Sequence, residues 1–158
     1  MGKIIYPDLS YQIVGILYKV HNKLGWGYQE RYYQIAIRRE LERIKMPYLE
    51  QVRAELNFYE ESLGRYFIDF IIDGKIVLEI KSKSFFSPKD VRQVLAYLKR
   101  SRLELGILAG FGGRSLICRR ILRGFENPKS SGEFVQSGIN SGINIREFGT
   151  DDISDKLG

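Results

Sequence analysis

Two neighbouring segments of this sequence, 66–72 and 76–80, are apolar at nearly every position. Each segment contains one charged residue, Asp69 in the first and Glu79 in the second. Strands that are apolar on both faces are covered on both sides, so the two segments predict central strands of a sheet that lies between helices. Because an isolated buried carboxylate is too costly, each acid must be paired, protonated or bound to a metal ion.

Helices and further strands for such a sheet are predicted along the rest of the chain. Apolar residues at helical spacing indicate helices over about 8–23 and 28–45, and the segment 87–90 (Ser-Pro-Lys-Asp) is typical of the start of a third, which should end near Arg100. Extended runs are predicted at 51–59, 65–72, 76–82, 105–109 and 116–122, with turns at 62–64 and 73–74. The order ααβββαββ predicts an α/β fold of the α+β kind, with a central mixed β-sheet flanked by helices.

Length and composition favour one folded domain followed by a tail. A chain of 158 residues with 44% apolar content can bury one sizeable core, and we place this domain at residues 1–123. Residues 124–158 are rich in Ser, Gly, Asn and Asp and have a net charge of −3. We therefore expect them to form a loosely ordered acidic tail.

Basic residues are concentrated in the segment 75–123, which contains twelve Lys or Arg and three acids, a net charge of +9. Such a segment favours the binding of polyanions, because each cation that neutralises a phosphate releases counterions. The alternative is a basic surface that is merely solvated. Within this segment, Lys83, Lys89, Arg92 and Arg100 are the candidates for contacts with nucleic acid.

The scarcity of His and Cys excludes several classes of site. The single histidine, His21, and the single cysteine, Cys118, cannot form a zinc cluster or an internal disulfide. Any metal ion must therefore be bound by oxygen. The chain has no apolar run of the roughly 20 residues that cross a bilayer and no charged-then-apolar leader, so we expect a soluble, cytoplasmic protein.

The turn between the two apolar strands decides whether their acids meet. Glu79 and Lys81 are two residues apart and so share one face of a strand. A two-residue turn at Asp73 and Gly74 would put Asp69 on the opposite face from Glu79. A three-residue loop, with Gly74 at positive φ in a type I turn plus bulge, would bring both acids to one face. A shared site therefore predicts an odd-length loop.

Two carboxylates and a lysine on one face suit the hydrolysis of a phosphodiester. Mg²⁺ or Mn²⁺ takes oxygen ligands, which Asp69, Glu79 and the backbone carbonyl of Ile80 could supply. The ion would polarise the phosphate and acidify a water molecule, while Lys81 would orient that water and stabilise charge on the phosphoryl oxygens. The alternative is a structural salt bridge from either acid to Lys81 or to an arginine.

Glu30 is a third candidate metal ligand. At 100° per residue, it lies on the same side of the second predicted helix as Ile37 and Leu41, at the start of the core-facing stripe. This placement indicates that Glu30 faces the sheet. The alternative is an acid that is favoured at a helix N-terminus by the helix dipole alone.

Five short motifs occur in a fixed order along the chain. They are Val20–Gly25 (VHNKLG), Gly27–Tyr33 (GYQERYY), Asp69–Phe70 (DF), Glu79–Lys81 (EIK) and Gln93–Leu98 (QVLAYL). In this order and spacing they resemble the motifs of the GxxExxY proteins, which belong to the PD-(D/E)XK nuclease superfamily. The resemblance extends over about residues 8–123.

This resemblance implies a restriction-endonuclease-like αβββαβ core. It implies Asp69, Glu79 and Lys81 as the catalytic set, with Glu30 and Gln93 as contributors. The expected function is that of a metal-dependent nuclease acting on nucleic acid, with DNA favoured over RNA. A catalytically inactive nucleic-acid-binding or regulatory module on the same fold is the alternative, and the sequence leaves open whether two copies associate as a homodimer.

Overall fold

The structure is a computed structural model, and it describes residues 2–124. Within these residues the chain forms helices and strands in the predicted order ααβββαββ. In chain order the elements are α1 (Pro7–Leu24), α2 (Glu30–Arg43), β1 (Tyr48–Phe58), β2 (Glu61–Ile72), β3 (Ile76–Lys81), α3 (Pro88–Ser101), β4 (Leu105–Gly110) and β5 (Ile117–Leu122). The predicted tail, apart from Gly124, lies outside the described residues. No helix of residues 2–124 is both long enough and apolar enough to cross a membrane.

The strands form one mixed sheet in the order β1-β2-β3-β4-β5. Neighbouring strands are antiparallel except β3 and β4, which are parallel and are connected by α3. One apolar cluster contains side chains of α1 and α2, and a second contains side chains of α3. The predicted sheet between helices is therefore confirmed, and β3 lies at its centre with Ile76, Val77 and Leu78 fully buried.

Helix α3 begins at the predicted residues because Ser87 and Asp90 form a capping box. The Ser87 hydroxyl accepts a hydrogen bond from the Asp90 backbone N–H, and the Asp90 carboxylate accepts one from the Ser87 N–H at 2.8 Å. Pro88 stands at the start of the helix, where the absence of an N–H costs no helical hydrogen bond. These contacts fix where α3 starts after the end of β3.

The loop between β2 and β3 has the predicted odd length. Ile72 pairs with Ile76, which leaves three residues in the loop, and the register continues to the pair Phe70 and Leu78. The expected turn type was wrong, because both Asp73 (φ 52°) and Gly74 (φ 61°) have positive φ, as in a type I′ turn. The length alone decides the register, and it aligns Asp69 with Glu79.

The predicted turn at 62–64 is wrong, because the chain reverses earlier. Phe58 pairs with Glu61, so the β1–β2 hairpin turns at Tyr59 and Glu60. Segment 62–64 contains a β-bulge instead, since Leu56 pairs with Gly64 and Asn57 with Ser62, which leaves Leu63 as an extra residue on β2. Glycine inside a strand often marks a bulge, and Gly64 is such a strand residue, paired with Leu56 beside the bulge.

Gly106 on β4 provides a test of how closely α3 packs on the sheet. A Cβ atom at this position would lie 2.5 Å from Cγ1 of Val94, a stiff β-branched side chain on α3. We expect Gly106→Ala to lower the free energy of unfolding by about 1–3 kcal/mol in chemical denaturation, as overpacked cores do. Gly113→Ala is the matched control, because its Cβ would meet nothing closer than 3.4 Å. Equal stability of the two variants would contradict the packing described.

Candidate active site

The carboxylates of Asp69 and Glu79 each accept a backbone hydrogen bond from the neighbouring strand. The Asp69 backbone N–H donates to Oε1 of Glu79, and the Ile80 N–H donates to Oδ2 of Asp69, each at 2.8 Å. The backbone pairing of the two strands ends at Phe70 and Leu78, and at the next position the carboxylates accept the hydrogen bonds in place of backbone carbonyls. Both acids are buried, with exposed fractions of 7% and 3%. The two acids therefore lie together in the middle of the sheet, at the point where its hydrogen-bonded ladder ends.

Two glutamine amides contact the other oxygen of Asp69. The Nε2 atom of Gln34, on α2, donates to Oδ1 at 2.7 Å, and the Nε2 atom of Gln51, on β1, donates to the same oxygen at 3.2 Å. Asp69 thus accepts hydrogen bonds from α2, β1 and β3. Neither glutamine was predicted as a site residue from the sequence.

Lys81 lies beside this pair of acids without a hydrogen bond to Glu79. Its Nζ atom is 3.9 Å from Oε2 of Glu79 and 3.9 Å from Oδ1 of Asp90. The salt bridge that was the alternative interpretation is therefore present only as a long ion pair. An ammonium group at this distance remains available to a third partner.

Burial dominates the protonation of the two acids. Desolvation, together with repulsion by the negative charge of Asp69, raises the pKa of Glu79 to about 8. Desolvation also raises the pKa of Asp69, against the lowering effect of the Ile80 N–H and the Gln51 amide. In the protein alone the pair resists carrying two negative charges, and a bound cation would favour the fully ionised form.

Glu30 is the first residue of α2 and reaches the end of β3. Its Oε1 atom accepts a hydrogen bond from the Ser82 N–H at 3.2 Å, and its charge contributes to the raised pKa of both Asp69 and Glu79. Glu30 and Gln34 are one helical turn apart, so α2 presents both side chains to the same region. Glu30 faces the sheet, although it is also placed where the helix dipole favours an acid.

Two glycines allow the chain after β3 to lie directly on the end of β4. The Phe111 N–H donates to the Lys81 carbonyl at 2.8 Å, and the Gly112 N–H donates to the Lys83 carbonyl at 3.0 Å. A Cβ atom on Gly112 would lie 2.3 Å from the Lys83 carbonyl carbon, and one on Gly110 would lie 2.8 Å from the Lys83 oxygen. This contact holds the backbone of Lys81 in place.

Lys83 is engaged within the protein, in contrast to its predicted contact with nucleic acid. Its Nζ atom lies 2.6 Å from Oδ2 of the buried Asp90 carboxylate, which also caps α3. Burial raises the pKa of Asp90, but hydrogen bonds from Lys83 and Ser87 outweigh it, and the pKa lies below its ordinary value. Lys83 therefore neutralises an internal carboxylate, and its contact with nucleic acid stays a prediction.

The other predicted nucleic-acid contacts lie on the outside of α3. Lys89, Arg92 and Arg100 are all exposed. Gln93 is half-buried on the same helix, and within residues 2–124 no hydrogen bond joins it to Asp69, Glu79 or Lys81. The structure thus brings together Asp69, Glu79, Lys81 and Glu30, and it leaves Gln93 unconnected to them.

A comparison with known protein families identifies the superfamily of the chain. Residues 7–121 match the family described as the PD-(D/E)XK nuclease superfamily. The chain belongs to this superfamily. The match begins at the first residue of α1 and ends within β5, so it includes every residue of the site described above. Comparisons with curated proteins and with solved structures gave no match.

Nucleases of the PD-(D/E)XK superfamily generally use divalent metal ions. Within residues 2–124, no group of three or more His, Cys, Asp or Glu side chains is arranged to hold a metal. Mg²⁺, however, usually binds through one or two carboxylates and retains several waters. Asp69 and Glu79 fit that pattern, because they are adjacent, all-oxygen donors whose joint charge is poorly compensated. A role for the Ile80 carbonyl as a ligand stays a prediction.

The buried Glu79 predicts how stability depends on pH when divalent ions are removed with EDTA. Between 4.5, its ordinary pKa, and about 8, folded Glu79 retains a proton that the unfolded chain has released. The free energy of unfolding should therefore fall as the pH rises through this window. Glu79→Gln removes this contribution, so in urea unfolding from pH 5 to 9 the variant should become progressively more stable relative to the wild type. Parallel curves for the two proteins would contradict the burial of Glu79.

Proposed function

We propose that the protein hydrolyses phosphodiester bonds of nucleic acid with Mg²⁺ or Mn²⁺ bound by Asp69 and Glu79. The observation that carries this proposal is the buried pair of carboxylates with Lys81 Nζ 3.9 Å from Glu79. A pair of acids in a mostly apolar sheet is costly to maintain unless a cation joins it. Membership of a nuclease superfamily supports the same reaction.

The roles of the side chains follow from their positions. A divalent ion bound to the pair would polarise the phosphate and acidify a water molecule. Lys81, whose backbone is held by Phe111, can orient the attacking water and stabilise charge that develops on the phosphoryl oxygens. Glu30 lies at the open end of β3, where its carboxylate could bind a water that faces the pair.

Nucleic acid is the proposed substrate, and DNA is our first candidate over RNA. The exposed cations Lys89, Arg92 and Arg100 on α3 support this assignment, since such cations attract phosphates. The first turn of α3 lies close to Lys81, whose Nζ atom is 3.9 Å from Oδ1 of Asp90. Contacts of this kind position the backbone of a nucleic acid and do not read its sequence. We therefore expect little dependence on sequence from these three residues.

We further infer that the chain belongs to the GxxExxY branch of the superfamily, and the structural roles of its motif support this. Gly27 has φ 99°, a value that favours glycine. Tyr33 is fully buried, and its hydroxyl donates to the Gly25 carbonyl at 2.8 Å. Its ring stacks on that of Phe111, with 4.3 Å between the ring centroids. Glu30 contacts the end of β3. The motif would thus place α2 against the strand that carries Glu79 and Lys81.

Lys81→Ala tests the proposed reaction. In assays with single-stranded and duplex DNA and with RNA, we expect Mg²⁺-dependent cleavage by the wild type that EDTA abolishes. Lys81→Ala and Asp69→Ala should each lower kcat by about 100-fold or more, because each removes a group that acts on the reacting phosphate. Lys75→Ala, at an exposed lysine of the β2–β3 loop, is the matched control and should cleave normally.

Two results would contradict the proposal. Cleavage that persists in EDTA, or in Asp69→Ala, would place the reaction elsewhere. Salt-sensitive binding of nucleic acid without cleavage, unchanged in both variants, would instead support a module that only binds.

A further inference from the structure

The ladder between β1 and β2 is interrupted opposite Asp69. Glu50 pairs with Phe70 and Val52 with Ile68, but within the described strands no pair joins Gln51 to Asp69. Gln51 has φ 51°, in the left-handed region that residues other than glycine rarely adopt. The backbone of β1 is therefore distorted at the residue that faces Asp69.

In both strands, the alternation of side chains between the two faces of the sheet is reversed at this interruption. On β2, Phe70 packs in the cluster with α1 and α2, whereas Ile68, two residues away, packs in the cluster with α3. On β1, Tyr48 packs against the first cluster and Val52, four residues away, packs against the second. Regular alternation would keep each of these pairs on one face. The distortion at Gln51 and Asp69 is thus shared by two strands.

The distortion brings the Gln51 amide to Asp69. Its Nε2 atom lies 3.2 Å from Oδ1 of Asp69, the oxygen that Gln34 also contacts at 2.7 Å. The opposite oxygen, Oδ2, accepts from the Ile80 N–H. Each oxygen of the carboxylate therefore has its own donors, which fixes the rotation of the group. Gln51 itself is exposed, so it lies where the site meets solvent.

We propose that Gln51 is a positioning residue for Asp69. Its left-handed backbone is maintained because it directs the side-chain amide onto the Asp69 carboxylate. The amide holds that carboxylate in the orientation in which Asp69 and Glu79 share a divalent cation. Strained backbone persists where the surroundings over-determine it, and such strain concentrates at functional sites. A regular strand residue opposite Asp69 would cost less conformational free energy. The inference rests on the proposed function, since it concerns the same metal site.

Gln51→Gly separates the side chain from the backbone, because glycine adopts φ 51° without strain. We expect this variant to unfold in EDTA at a temperature equal to or above that of the wild type. Its affinity for Mn²⁺, measured by isothermal titration calorimetry, should nevertheless fall about tenfold or more. With DNA as substrate, kcat at fixed Mg²⁺ should fall while KM for DNA is unchanged.

Arg53→Gly is the matched control, at an exposed residue of β1 that pairs regularly with Phe67. It should lower the melting temperature, as glycine does in a strand, without changing the affinity for Mn²⁺. A Gln51→Gly protein that binds Mn²⁺ like the wild type would overturn the inference, as would a wild type that binds no Mn²⁺. A wild type that binds Mn²⁺ but cleaves nothing would contradict the proposed function alone, and the calorimetric comparison would still decide the role of Gln51.

Discussion

The pair of hydrogen bonds from the Asp69 and Ile80 N–H groups to the carboxylates of Glu79 and Asp69 is the interaction on which the rest of the site depends. It replaces ladder hydrogen bonds between β2 and β3, so the two acids satisfy backbone N–H groups that the separating strands would otherwise leave buried and unpaired. The same arrangement places two carboxylates in a low-dielectric interior, where their ionised forms are costly. This interaction thus stabilises the fold locally, but it leaves buried negative charge that requires a nearby cation.

The surrounding residues neutralise this negative charge only in part. Lys81 is held at its backbone by Phe111, and its ammonium lies midway between the carboxylates of Glu79 and Asp90. Asp90 is already bonded to Lys83 and to the start of α3, so it does not need Lys81 for neutralisation. Lys81 is therefore bound less closely to an internal partner than Lys83 is, which is what a group that acts on a substrate requires.

Much of the fold could be predicted from the sequence, because the signals are local. The apolar strands and the Ser87–Asp90 cap can be recognised from residues that are neighbours in the sequence. Because side chains alternate between the faces of a strand, the requirement that both acids share one face predicted the loop length correctly. Gln51 was missed because the predicted turn at 62–64 would have aligned Asp69 with residues near 57. The hairpin instead turns at Tyr59 and Glu60, and the bulge at Leu63 shifts the register by one more residue, which aligns Asp69 with Gln51. The ion pair between Lys83 and Asp90 was not predicted, because composition records charges and not their partners.

The site contains features that folding alone does not favour. A buried pair of acids and a left-handed glutamine both cost free energy, and they occur at adjacent positions on β1, β2 and β3. A module that only bound nucleic acid could use Lys89, Arg92 and Arg100 on the outside of α3 and would need neither feature. Uncharged amide side chains at 69 and 79 could accept the same backbone hydrogen bonds without the cost of two buried carboxylates. The cost is understandable if the acids hold a cation, and this argues for hydrolysis over binding alone.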